Sequence, residues 1–175
     1  MGGGPHFGTG HMIIDLTFED PRWTGLDFAV LAEKAIRTTL AHLGIDAALC
    51  EISLLACDDA RIADLNATFR DKGGPTNVLS WPTIDLGAQS AGGKPAQPVA
   101  DFTGEMPLGD IAIAWETCER EAREGGKPMA EHVTHLLVHG VLHLLGYDHI
   151  RDMDATLMMK KEGEILGKLG IGNPY

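Results

Sequence analysis

Apolar and polar residues alternate across residues 12–18, with Ile14, Leu16 and Phe18 on one side, as a half-buried strand requires. The period then lengthens. Leu26, Val30, Leu31, Ala35, Leu40 and Leu43 fall at helical spacing and predict a long amphipathic helix over 26–43, closed by Gly44, with Pro21-Arg22-Trp23-Thr24 before it as turn and N-cap. A second strand is predicted over 47–56, where Leu49, Ile52, Leu54 and Leu55 are apolar. Asp58-Asp59 then supply a cap for a short helix over 60–69. Arg70-Asp71-Lys72-Gly73-Gly74 opens a glycine-rich loop that gives way to a short strand stopped at Pro82.

Residues 83–107 are rich in Gly, Pro, Ala and Gln and predict a mobile surface loop inside one domain. A strand is expected over 108–114 and a polar helix over 115–124, ending at Gly125-Gly126. A further helix begins near Pro128, and a last amphipathic helix covers 152–169. The order β-α-β-α-β-β-α-α-α implies a single α/β (or α+β) domain over 12–175. Its sheet should be mixed, of roughly four strands, parallel where helices separate the early strands and packed with helices. Residues 1–11, MGGGPHFGTGH, have no period and read as a tag remnant, so His6 and His11 are set aside.

Composition narrows the class. At 175 residues and 44% hydrophobic, the chain can bury one sizeable core. No apolar run reaches the ~18 residues a membrane span needs, and no leader pattern opens the chain, so a cytoplasmic protein without a membrane partner is expected. Cys50, Cys57 and Cys118 lack metal-site spacing and read as reduced core thiols. The net charge of −11 argues against a broad nucleic-acid-binding surface. A local cationic patch, from Arg70, Lys72 and a bound metal, is still compatible with it.

The chemistry concentrates in His139-Gly140-Val141-Leu142-His143-Leu144-Leu145-Gly146-Tyr147-Asp148-His149. His139 and His143 lie one turn apart on one helix face, and Gly146 can take the left-handed conformation that ends a helix and returns His149 to the same point. Three neutral imidazoles with one open position suit a catalytic zinc. The apolar residues around them predict a buried, zincin-like metal helix, but packing alone does not account for three histidines at this spacing. His135 extends the stripe, which spans about 12 Å, too far for His135, His139 and His143 to share one ion. His135 could line the cleft but reads first as a hydrogen-bonded structural histidine, His132 and His42 read as surface or packing residues, and Asp148 as an imidazole-orienting group or a turn cap. The spacing is that of the extended zinc-protease motif, but Gly140 stands where that motif carries its general base, which disfavours peptide hydrolysis.

The histidine segment, with Leu65-Asn66 through Phe69-Arg70, Pro75-Thr76-Asn77-Val78-Leu79-Ser80-Trp81-Pro82, Gly109-Asp110-Ile111 and Asn173-Pro174-Tyr175, resembles the YbeY-type bacterial rRNA maturation endoribonucleases. The resemblance implies one zinc ion on His139, His143 and His149, and a catalytic or phosphate-orienting arginine at Arg70. It also implies a single-strand-directed endoribonuclease acting on RNA in small-subunit rRNA processing and ribosome quality control, with ribosomal proteins as possible partners. Two features depart from it: Trp81 stands where the family usually carries Phe, and the 83–107 loop is long. Without the resemblance, a loop arginine such as Arg70 is ordinarily a solvated surface residue. Two other readings stand beside this one: a ribosome-associated assembly factor with structural zinc, and a metal-dependent hydrolase of another substrate.

Overall fold

The computed structural model describes residues 12–70 and 73–175, so residues 1–11, Asp71 and Lys72 lie outside the described residues. Four strands form one mixed sheet: β1 (Ile13–Phe18), β2 (Cys50–Cys57), β3 (Val78–Pro82) and β4 (Met106–Ala114), in the spatial order β1-β2-β4-β3. β1 and β4 both run parallel to β2, and β3 runs antiparallel to β4. The helices that separate β1 from β2 and β2 from β3 are α1 (Phe28–His42) and α2 (Asp59–Arg70). α3 (Trp115–Glu124), α4 (Met129–Leu144) and α5 (Asp152–Lys168) follow the sheet. This is the single α/β domain that the periodicity implies.

Alternation along β2 divides the core in two. Ile52, Leu54 and Ala56 join Ile111 and Ile113 of β4 in the larger cluster, together with Ile36 and Leu40 of α1 and Leu137, Val141 and Leu142 of α4. On the opposite face, Leu55 packs with Ile62 and Leu65 of α2, and with Leu79, Trp81 and Ala112. α4 is apolar nearly all round because it is the central helix. It meets β3 and β4, α1, α3 and α5. Burial of its Val133, Leu137, Val141 and Leu144 stabilises the fold by on the order of 2 kcal/mol each.

The expected helix over 26–43 is corrected in phase. Asp20 accepts from the Arg22 backbone N–H and caps a 3-10 helix at Pro21–Leu26, and Asp27 then takes a left-handed φ of 56°. That break resets the period, so α1 buries Phe28, Ala32, Ala35, Ile36, Thr39 and Leu40, while Val30 is exposed. β1 is an edge strand, and its Phe18 is more exposed than the simple alternation suggests. The cap expected at Asp58 is present, accepting from the Arg61 N–H at 2.8 Å. Cys50, Cys57 and Cys118 are buried, unpaired thiols, and burial pushes Cys50 up to about 11.

Gly140 faces the sheet, not the cleft. An added Cβ there would lie 3.1 Å from the Ser80 Oγ and 3.3 Å from the Ile111 Cδ1. The Ser80 hydroxyl donates to the Gly140 carbonyl at 3.3 Å, so helix and strand are in direct contact. The missing protease glutamate thus has a packing cause. Gly140→Glu is expected to lower stability by about 3 kcal/mol or more, combining overpacking with a buried charge. Urea denaturation measures it, and an unchanged midpoint would contradict this packing account.

Candidate metal centre

α4 ends in a turn that returns the chain. Gly146 sits at φ 97°, the Tyr147 N–H reaches back to the Leu142 carbonyl at 3.0 Å, and the Gly146 N–H reaches the His143 carbonyl at 3.1 Å. The reversal carries His149 over the end of α4. Ligand nitrogens of His139, His143 and His149 all lie within 4.8 Å of one another, which realises the convergence that the spacing predicts. The His149 ring stacks on that of His139 with centroids 5.4 Å apart. Asp148 caps the turn by accepting from the His149 backbone N–H at 2.7 Å, so of its two expected roles the cap is the one seen.

Hydrogen bonding fixes which nitrogens face inward. His143 Nδ1 lies 2.9 Å from the Tyr147 carbonyl oxygen, which can only accept, so the ring proton is on Nδ1. His139 Nδ1 lies 2.7 Å from the Glu162 Oε1. Burial would raise the Glu162 carboxyl, but hydrogen bonds from His135, His139 and Tyr175 outweigh it and hold the group at about 2. An ionised carboxylate also only accepts. In the neutral rings, both Nε2 atoms therefore carry lone pairs, and they face each other at 2.9 Å. Such a pair repels unless a cation lies between them. Burial and the neighbouring rings disfavour a proton on His143, and three convergent imidazoles suit a metal ion. An all-nitrogen donor set fits zinc and other first-row divalent ions.

Arg70 is the last residue of α2 and is exposed. Its guanidinium donates to the Ser80 carbonyl and lies 5.9 Å from the Trp81 ring centroid. Since Ser80 also bonds Gly140, next to His139, β3 connects the arginine to the histidine helix. Arg70, His139, His143 and His149 line one cleft of about 1130 Å³. The loop after β3 supplies another wall. Arg151 donates to the Ala88 and Gln89 carbonyls at 2.8 and 3.1 Å, and Asp154 accepts from the Gly92 N–H at 2.8 Å.

Other histidines have carboxylate partners: His132 with Glu121 at 2.9 Å, His42 with Glu164 at 2.9 Å, and His135 with Glu162 at 2.7 Å. Sequence reasoning missed Glu162 and Tyr175, whose hydroxyl donates to Glu162 at 2.9 Å. A signal for Glu162 was present. It interrupts the apolar stripe of α5 formed by Met158, Ile165 and Leu166, and a lone acid on a core face needs a partner.

A family described as Endoribonuclease YbeY matches residues 18–170. The chain belongs to the YbeY endoribonuclease family. Among its relatives, Endoribonuclease YbeY of Ruegeria pomeroyi is 66% identical over 164 residues, covering 94% of this chain and 98% of that protein. The protein of the same name from a second Ruegeria strain is 55% identical, covering 94% and 96%. The solution structure of TM1509 from Thermotoga maritima shares the fold at a TM-score of 0.53 and 21% identity, covering 90% of this chain and 92% of that one. Among the described residues, no helix is long and apolar enough to cross a membrane.

The site carries a pH signature. Burial, then the neighbouring His139 and His149, pushes His143 down to about 4 from an ordinary value near 6.5. The folded, metal-free protein binds fewer protons there than the unfolded chain, so this contribution is full above pH 6.5 and lost as pH falls through 4. The loss is on the order of 3 kcal/mol. Urea midpoints of chelated protein should fall between pH 6.5 and 4, and His143→Asn should remove much of that fall. A flat profile in the parent protein would contradict the His143 environment.

Proposed function

We propose that this protein is a metal-dependent endoribonuclease of the cytoplasm, cutting single-stranded RNA during small-subunit rRNA maturation and ribosome quality control. Zinc on His139, His143 and His149 is the metal of this reading, with Arg70 as the phosphate-orienting residue. The observation that carries it is the convergence of three imidazoles and one guanidinium on a single cleft, in a chain of an endoribonuclease family.

Each residue has a definable task. When bound, the ion supplies Lewis acidity toward a phosphoryl oxygen and acidifies water. His139, His143 and His149 hold it through nitrogen lone pairs, with two ring orientations set by Glu162 and the Tyr147 carbonyl. Arg70 offers a planar fork to the non-bridging oxygens, where negative charge builds at the transition state. Its bond to Ser80 fixes one edge of the guanidinium. Gly140 contributes no base, so charge stabilisation carries more of the barrier. The loop after β3, tied to Arg151 and Asp154, forms one wall of the cleft that the RNA strand would enter, and ribosomal proteins are the partners this role would bring near.

Among the described residues, the cleft's charged lining comprises Arg70 and Arg151 against Asp85, Glu121, Asp148 and Asp154. Arg151 is paired with Asp154. Few phosphates can therefore be neutralised by side chains. RNA affinity should fall with salt on a shallow log–log slope of about −2, as expected for two or three single-strand phosphate contacts. A slope several times steeper in a filter-binding titration would contradict this cleft.

Arg70 provides the sharper test. Arg70→Ala is expected to keep its zinc and melting temperature but lose cleavage by about 10²-fold or more. Arg70→Lys should recover little, because a point charge lacks the bidentate fork. Cleavage of an rRNA fragment, zinc content and melting temperature are measured on the same samples. Near-parental cleavage by zinc-loaded Arg70→Ala would return Arg70 to a solvated helix end.

A further inference from the structure

Glu162 has unusual surroundings for an acid. It is 1% exposed, on the core face of α5, with neither Lys nor Arg among its hydrogen-bond partners. Burying a carboxylate costs several kcal/mol unless its oxygens are fully bonded. Here Oε1 faces His139 Nδ1 at 2.7 Å, while Oε2 faces His135 Nε2 at 2.7 Å and the Tyr175 hydroxyl at 2.9 Å. All three donors line the cleft. Met158, Ile165 and Leu166 show that an apolar side chain would suit this face of α5. What such a side chain could not do is accept protons' hydrogen bonds from three cleft residues at once.

We propose that Glu162 is a positioning residue: it fixes His139 in the Nδ1–H tautomer, leaving Nε2 free for the metal, and ties His135 and Tyr175 to the same carboxylate. This rests on the metal reading of the histidine triad. The two oxygens are both needed. Glutamine has the same shape but one acceptor oxygen and one amide donor. With its nitrogen toward His139, it would hold Nδ1 bare and move the ring proton to Nε2, the metal-facing atom. With its nitrogen toward His135 and Tyr175, it would meet two groups that now donate, so the placement toward His139 costs fewer bonds and is the one expected. Either placement breaks part of the network, and one of them disables a ligand outright.

Tyr175 gains a role through this arrangement. Tyr175 is 57% exposed on the cleft wall, and its ring packs edge-on to His135, with centroids 6.1 Å apart. Asn173 is packed so closely on α5 that a Cβ at Gly163 would lie 2.6 Å from its Nδ2. The segment carrying Tyr175 is therefore seated against the helix that carries Glu162. One buried acid thus holds a metal ligand on one oxygen and two wall residues on the other.

The test reads tautomers and zinc affinity separately. Long-range proton–nitrogen NMR on metal-free protein at pH 8 reports which His139 nitrogen carries the proton, with its signals assigned by their loss in His139→Asn. Chelator competition gives zinc affinity, and thermal melting reports folding. The parent protein should show His139 protonated at Nδ1 and bare at Nε2. Glu162→Gln should lose that uniform state and bind zinc about 10- to 100-fold more weakly. A folded Glu162→Gln protein with the parental tautomer and affinity would overturn the proposal, whatever its melting temperature. So would a parent protein with His139 protonated at Nε2, a result that needs no variant and stands even if Glu162→Gln fails to fold. If the parent binds no zinc, the metal reading falls, and the tautomer measurement still decides for or against Glu162.

Discussion

Two imidazole nitrogens that face each other at 2.9 Å, each with its lone pair exposed, constrain the rest of this structure. Neither ring can turn away cheaply. His143 is held from behind by the Tyr147 carbonyl and His139 by the Glu162 carboxylate, so the repulsion is built in by acceptors on the far side of each ring. The protein meets the cost of that convergence with the tight turn at Gly146, the burial of α4 and the seating of α5 against it. His149 completes the set because the turn at Gly146 brings the chain back to the end of α4. A cation relieves the repulsion, and three nitrogens select a metal over a proton.

The sheet positions the remaining partner. Gly140 lets α4 approach β3 closely enough for the Ser80 hydroxyl to reach a helix carbonyl, and the Ser80 carbonyl in turn receives Arg70. Removal of the side chain at 140 therefore does two things together. It eliminates the base of a zinc protease, and it brings an arginine from the end of α2 to the edge of the histidine cleft. Under the proposed function, the site would stabilise a charged phosphate where a zinc protease deprotonates its water with a carboxylate. Among the described residues the cleft holds few cations, so under the proposed function the ion and one guanidinium would supply most of the local positive charge.

Much of this was legible in the sequence where local rules decide. The order of strands and helices, the Asp58 cap, the Gly146 turn and the histidine convergence all follow from period, capping and backbone freedom. The phase of α1 was not legible, because the left-handed Asp27 that resets it leaves no mark on hydrophobic spacing. Arg70 could be flagged only by family likeness, since its approach to the cleft depends on how β3 inserts beside β4. Glu162 and Tyr175 lie 23 and 36 residues beyond His139, and their meeting with it depends on α5 packing across α4. The one local sign of Glu162 was an acid on a core stripe. The bonds that hold the 83–107 loop to Arg151 and Asp154 involve backbone carbonyls and amides, which side-chain patterns do not display.

Under the proposed function, a metal on the histidine triad is needed for cutting RNA and not for holding the fold. The direct measurement is cleavage of single-stranded rRNA by one preparation before chelation, after chelation, and after zinc is returned, with metal content and far-UV circular dichroism followed in parallel. The account predicts about one metal ion per chain at the start. Cleavage should be lost with the metal while the helical signal persists, and regained with zinc. Cleavage that continues in metal-free protein, or a chain that unfolds as the metal leaves, would contradict it.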